Sequence, residues 1–145
     1  MVSVGQKHVK FWSVCGNMLS GKSGENAVGA DVNTHLCLTF GQDKTTYTGT
    51  LAGDINKWQG RRLVATIAQA HAGAIFSMQL QAKEGEQELT ILGYCTGGKD
   101  GVVRLWTPEF KPHQSIDLKA SSVLCAHFIY HLVIILCSTI VLGGL

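Results

Sequence analysis

The sequence predicts an all-β chain made of repeated four-stranded units, and three observations carry that prediction. Three Trp residues, Trp12, Trp58 and Trp106, recur at spacings of 46 and 48. Each closes a segment (Ser3–Trp12, Thr48–Trp58, Thr96–Trp106) that reads as strand, glycine-bearing turn and short alternating strand. No stretch shows the helical apolar period of a long amphipathic helix. In the second and third segments, Gly49 and Gly97 stand at the same distance before the Trp; the first turn is shorter. These glycines are expected to supply the positive φ angles of tight hairpins.

Further strands are predicted around each core. His35–Phe40 and Ala74–Leu80 precede the glycine turns, and Leu63–Ile67 and His113–Leu118 follow the Trp. Four short strands in every period of about 40–50 residues is the arithmetic of a β-propeller blade. The chain then divides into the end of a truncated blade at 1–15, an inter-blade loop at 16–33, blades at 34–69 and 70–119, and a tail at 120–145. Gln81–Gln87 reads as a charged loop, and Gly16–Asn33 as an excursion between blades. Propellers close with about four to eight blades. Two full blades and a partial one therefore predict an incomplete propeller, with edges and sheet faces for partner blades to cover.

Charge separates the tail from the rest. The 145 residues are 46% hydrophobic and 15% charged, below the roughly 25% charged usual in soluble domains. Every Lys, Arg, Asp and Glu lies in 1–119, and the stretch from Ala120 to Leu145 carries none. Val123–Leu142 has the length a helix needs to cross a bilayer. His127 and His131 in its first half weaken that reading, and the β-branched Val133, Ile134, Ile135, Thr139, Ile140 and Val141 suit strands as well. Ser121–Phe128 also fits the first strand of another blade. The expectation is a divergent apolar end, from alternative splicing or a gene-prediction artefact. A C-terminal membrane anchor is the alternative, with a membrane as partner only if the tail inserts.

The net charge of +2, with Arg61-Arg62 as its densest basic pair, predicts no nucleic-acid surface. The N-terminal MVSVGQKHVKFW lacks the apolar core of a signal peptide. Cys15, Cys37, Cys95, Cys125 and Cys137 form an odd set without CxxC, so reduced, buried thiols are expected rather than a disulfide framework or metal site.

Two motifs imitate nucleotide sites. Gly16–Ser23 satisfies GxxxxGKS, in which Lys22 would pair with phosphate oxygens and Ser23 with magnesium. That chemistry needs a helix directly afterwards, and GENAVGAD follows instead, so a loop is expected. Gly93–Asp100 fits GxxxxGK but places Asp100 where the hydroxyl belongs and precedes a strand. His8, His35, His113, His127 and His131 have no metal-ligand spacing and are expected as turn or strand residues. No Ser–His–Asp or Cys–His constellation can be assembled. No catalytic, cofactor-binding or metal-binding residue and no cofactor are expected, and the chain is not read as an enzyme.

GKDGVVRLW (98–106), with Ala70-His71 upstream of Ala74–Met78, resembles a WD40 repeat, and His71 stands at the separation from Trp106 expected for it. SVGQKHVKFW, LCLTFG…YTGTLAGDINKW, AHAGAIFSM and FKP…IDL together resemble the echinoderm microtubule-associated protein-like family over about residues 2–119. Within it they resemble the long members carrying several tandem copies. The resemblance implies a buried hydrogen-bonded chain of His71, Thr96, Asp100 and Trp106 with a structural role. In the second copy Ala52 stands in the place of Asp100, so that turn is expected to rest on Gly49 and Gly53 alone. The resemblance further implies a cytoplasmic, cytoskeletal WD40 scaffold that binds microtubules, tubulin or other cytoskeletal partners. The alternatives are a generic WD40 protein-interaction module and a P-loop nucleotide hydrolase using Lys22 and Ser23. Propeller partners are held by loops and rims, and no binding residue is singled out.

Overall fold

The computed structural model describes residues 1–25, 33–42, 44–84, 89–119, 122–129 and 132–138. Among them there is no helix, and every ladder between strands is antiparallel. The first sheet has three strands in sequence order, β1 (Val2–Gly5), β2 (His8–Cys15) and β3 (Met18–Ser23). The second holds β4 (His35–Phe40), β5 (Thr45–Thr50), β6 (Ile55–Gln59) and β7 (Arg62–Ile67). The third holds β8 (Ile75–Glu84), β9 (Leu89–Gly98), β10 (Val102–Trp106) and β11 (Pro112–Asp117). A final pair joins β12 (Ser122–Ile129) to β13 (Leu132–Ser138). Trp12, Trp58 and Trp106 fall on β2, β6 and β10, so the tryptophan period is the period of the sheets.

The repeat glycines work differently from the expectation. Gly49 and Gly97 lie within β5 and β9, not in turns. A Cβ on Gly49 would come within 2.7 Å of the Cys37 sulfur and 2.9 Å of Ile75, and one on Gly97 would meet Val123 and the Ser77 hydroxyl. Each glycine therefore lets the first strand of the next sheet lie against its own. Ile75 follows Gly49 at the same interval along the chain as Val123 follows Gly97. The positive φ falls one turn later, at Gly53 (97°) and Gly101 (72°).

That spacing places β12 as the opening strand of another sheet. Val123 and Ala126 are buried against Cys95 and Val103. The Ala126 amide donates to the Ser77 hydroxyl at 3.1 Å, and the Cys95 thiol to the Ala126 carbonyl at 3.6 Å. The uncharged segment, expected as a divergent tail, thus contributes Ser122–Ile129 to the packed structure. Period-two alternation is hard to see there because both strand faces are apolar: Val123 is buried while Leu124 is exposed. No helix among the described residues is long and apolar enough to cross a membrane.

Two predicted loops are corrected. Met18–Ser23, placed in the inter-blade loop, forms β3 through a complete register with Lys10–Cys15. Gln81–Glu84, placed in a charged loop, extends β8 against Leu89–Gly93. In both, ladder hydrogen bonding outweighs a loop-like composition, glycine-bearing in the first and charged in the second.

An aromatic cluster joins the second and third sheets. Phe110 stacks on Tyr47 at 4.2 Å between centroids and lies 4.4 Å from Tyr94 and 5.4 Å from Trp106. Phe110 is buried although its φ is 61°, an uncommon conformation for a bulky residue that its aromatic contacts offset. Cysteine environments diverge as well. Cys15 is exposed, Cys95 is buried, and burial pushes the Cys37 thiol up to about 12 against the opposing hydrogen bond from Gly49. Because the thiolate is the reactive form, iodoacetamide under mildly alkaline conditions should alkylate Cys15 in the native chain well before Cys37 or Cys95. Peptide mass mapping showing Cys37 modified at the rate of Cys15 would contradict this packing.

Candidate functional site

The densest polar constellation is the chain of side chains across the third sheet. His71 sits on the approach to β8, Thr96 on β9, Asp100 in the β9–β10 turn and Trp106 at the end of β10. His71 Nδ1 lies 2.9 Å from Asp100 Oδ1, and His71 Nε2 lies 2.8 Å from Thr96 Oγ1. Trp106 Nε1 donates to the same Thr96 oxygen at 2.9 Å. The sequence-predicted residues are all brought together.

One assignment of protons satisfies every member. Asp100 accepts from His71 Nδ1–H, His71 Nε2 accepts from the Thr96 hydroxyl, and Thr96 Oγ1 accepts from the indole N–H. Asp100 also accepts from the Ala72 and Val102 amides at 3.0 and 3.2 Å, and Arg104 Nη2 lies 3.5 Å from it. Burial opposes ionisation of Asp100, but the hydrogen bonds from His71, Ala72 and Val102 prevail and hold its carboxyl below the usual range. Burial lowers the pKa of His71 despite the Asp100 carboxylate beside it, so the ring is neutral near pH 7. The His71 side chain is fully buried. A neutral, enclosed imidazole with both nitrogens engaged has no free position from which to take a substrate proton.

The other sheets hold shortened versions. Trp58 Nε1 donates to Thr48 Oγ1 at 2.9 Å, and Trp12 Nε1 to Ser3 Oγ at 2.9 Å. The second turn is not held by glycines alone, as expected, but also by hydroxyl and carboxylate caps. The Asp54 amide donates to Thr50 Oγ1 at 2.9 Å, and Asp54 Oδ1 accepts from the Gln69 amide at 2.8 Å. Asp54 thus does from the far side of the turn part of what Asp100 does in the third sheet. Sequence reading missed this because Asp54 lies beyond the aligned position, on the other side of Gly53. Gly53 fixes how the two sheets meet. A methyl there would run into the carbonyl oxygens of His71 and Gly73, and the Gly53 carbonyl accepts from the His71 amide at 3.0 Å.

The nucleotide-like motifs have other uses. Lys22 and Ser23 are exposed on β3, in an extended conformation that aims successive side chains to opposite faces and builds no amide cradle. In Gly93–Asp100, Gly97 and Gly98 belong to β9 and Asp100 to the polar chain. His8 and His113 are exposed strand residues, whereas His35 is buried; the side chain of His127 and the whole of His131 lie outside the described residues.

No known family model matches the chain. Echinoderm microtubule-associated protein-like 1 of Mus musculus is 30% identical over 113 residues, covering 77% of this chain and 13% of that protein. Echinoderm microtubule-associated protein-like 2 of Mus musculus is 27% identical over 120 residues, covering 81% and 17%. The chain resembles the echinoderm microtubule-associated protein-like family. The 77 kDa echinoderm microtubule-associated protein of Lytechinus variegatus is likewise similar, at 29% identity over 81% of this chain and 17% of its own. The chain therefore spans less than a fifth of the length of these relatives. Among solved structures, a chain of the mitotic checkpoint complex superposes with a TM-score of 0.62 over 87% of this chain and 36% of that one. At 18% identity that likeness concerns the fold alone, a WD40-type propeller segment.

Proposed function

We propose that the chain is a non-enzymatic WD40-repeat scaffold that associates with microtubules or tubulin, in the cytoplasm and at the cytoskeleton. The observation that carries the reading is the closed polar chain of Asp100, His71, Thr96 and Trp106, in which every group resembling catalytic machinery is consumed in holding a blade. The microtubule partner rests on the names of the similar proteins. The reading takes 34–69 and 70–119 as two blades and leaves rims and loops as binding surface.

Co-sedimentation with polymerised tubulin tests the partner. The chain is expected in the pellet in proportion to polymer, saturably, and to weaken with added salt as charged contacts are screened. A chain that stays in the supernatant at every polymer concentration contradicts the microtubule reading and favours a WD40 module for another protein.

A further inference from the structure

The hairpin that follows each repeat tryptophan differs in one sheet. β2 runs three residues past Trp12, to Cys15, whereas β6 runs one past Trp58 and β10 ends on Trp106. β3 returns beside β2 in unbroken register, from the Cys15–Met18 pair to the Lys10–Ser23 pair. In the second and third sheets the same turn is polar and charged, with Gln59, Gly60, Arg61 and Arg62 in one and Thr107, Pro108, Glu109 and Lys111 in the other. In the first sheet it reads Val14-Cys15-Gly16-Asn17-Met18-Leu19. Val14 is 75% exposed, Met18 74% and Leu19 53%. Large apolar side chains grouped and exposed on an extended tip mark a contact surface.

The order of residues from the tip inward says what kind. Val14 and Leu19 pair across one face, and strand alternation puts Cys15 and Met18 on the other. A folded partner covers one face of a hairpin, whereas a lipid surface surrounds both. The uncharged Ser13–Ser20 pair comes next, and then Trp12–Gly21, about 10 Å behind the Cys15–Met18 pair at about 3.3 Å per residue. The Trp12 ring lies across Gly21, where a Cβ would meet it at 2.5 Å, and its N–H is held by Ser3. The lysines stand behind it, Lys22 opposite Phe11 and Lys10 opposite Ser23, with Lys10 Nζ 5.8 Å from the centroid of the Trp12 ring. Residues 1–24 hold Lys7, Lys10 and Lys22 and no Asp or Glu. An apolar tip, then an indole, then cations is the sequence in which a lipid interface offers acyl chains, a boundary layer and anionic headgroups.

We propose that the β2–β3 hairpin attaches the chain to an anionic lipid surface. Val14, Cys15, Met18 and Leu19 enter the outer layer of the leaflet to a depth of about 5–10 Å. Trp12 rests at the headgroup boundary, and Lys10 and Lys22 lie against the anionic headgroups. The attachment is peripheral and reversible, because so short an apolar tip cannot span the bilayer. The proposal goes beyond the scaffold reading and stands without a microtubule partner.

The test floats the whole chain with vesicles of phosphatidylcholine, either alone or with about one lipid in three replaced by phosphatidylserine. Trp58 and Trp106 are 1% and 4% exposed, so a change of emission on binding reports Trp12. The chain is expected to float with the anionic vesicles, with emission shifted to the blue and protected from iodide. Trp12→Phe should still float and lose the spectral change. The Met18→Asp, Leu19→Asp double variant alters exposed positions and should keep the urea midpoint, while its vesicle affinity falls more than tenfold. Lys22→Gln should weaken binding about fivefold, and added salt should weaken it further. Flotation undiminished in the double variant would assign the contact to another surface, such as the uncharged C-terminal stretch, and overturn the proposal. Equal binding to neutral and anionic vesicles would overturn it as well. So would failure to float with either, which leaves the tip to a protein partner. A failed tubulin co-sedimentation with flotation intact would remove the microtubule partner and leave this attachment standing.

Discussion

Replacing Asp100 with Ala is expected to destabilise the chain by about 2–4 kcal/mol, read as a lower urea midpoint with an unchanged slope. The carboxylate gathers His71 Nδ1–H, two backbone amides and the edge of Arg104 around a tight turn. Its loss strands a donor on a fully buried imidazole, which water cannot reach without opening the sheet. Asp100→Asn keeps one acceptor oxygen and should cost about half as much. Acid should act through the same groups. The folded pKa of His71 lies below the ordinary 6.5, and that of Asp100 below 3.8. The unfolded chain therefore binds more protons than the folded one on descending through each ordinary value. Their stabilisation is complete above pH 6.5, begins to fall below it as unfolded histidine protonates, and falls again below 3.8. His35, held at about 4, adds to the loss between 6.5 and 4. Urea midpoints at roughly pH 7.5, 5.5 and 4.5 should decline in that order; midpoints that are flat over this range would contradict neutral, buried rings.

The second large effect concerns Trp58. It is 1% exposed, its indole N–H is bonded to a fully buried Thr48, and its ring meets Phe11 of the first sheet at 5.9 Å. Trp58→Ala should cost about 3–5 kcal/mol, as expected for deleting a large core aromatic, with Thr48 losing its donor. Trp12 is the internal control. It holds the same place in the repeat and makes the same bond, to Ser3, but is only partly buried. Trp12→Ala should therefore cost about 1 kcal/mol, near the net value of one hydrogen bond and some packing. Equal effects at the two sites would show that repeat position, not burial, sets the energetics.

The sheet period was legible because tryptophan is rare and recurs once per sheet, in the second and third copies at the same distance from its glycine. The polar chain was legible through the WD40 resemblance of the third copy, and His71, Thr96, Asp100 and Trp106 meet as that resemblance implies. Other features were hidden by competing physics. The strand at Met18–Ser23 has a loop-like composition and is held by its ladder to β2. The place of Gly49 and Gly97 in strands cannot be read from the glycines, because their constraint comes from Ile75 and Val123, far along the chain. Asp54 escaped notice because a capping carboxylate can serve a turn from either side.

The scaffold reading depends on the chain of Asp100, His71, Thr96 and Trp106 being closed, with each polar group engaged by its neighbour. The ¹⁵N NMR spectrum of the His71 ring across pH reads it out. The ring is expected to be neutral at pH 7 with its proton on Nδ1, donated to Asp100, and to titrate below the ordinary 6.5 in the folded chain. A ring protonated on Nε2, or one that titrates near neutrality while the chain remains folded, would refute the closed chain.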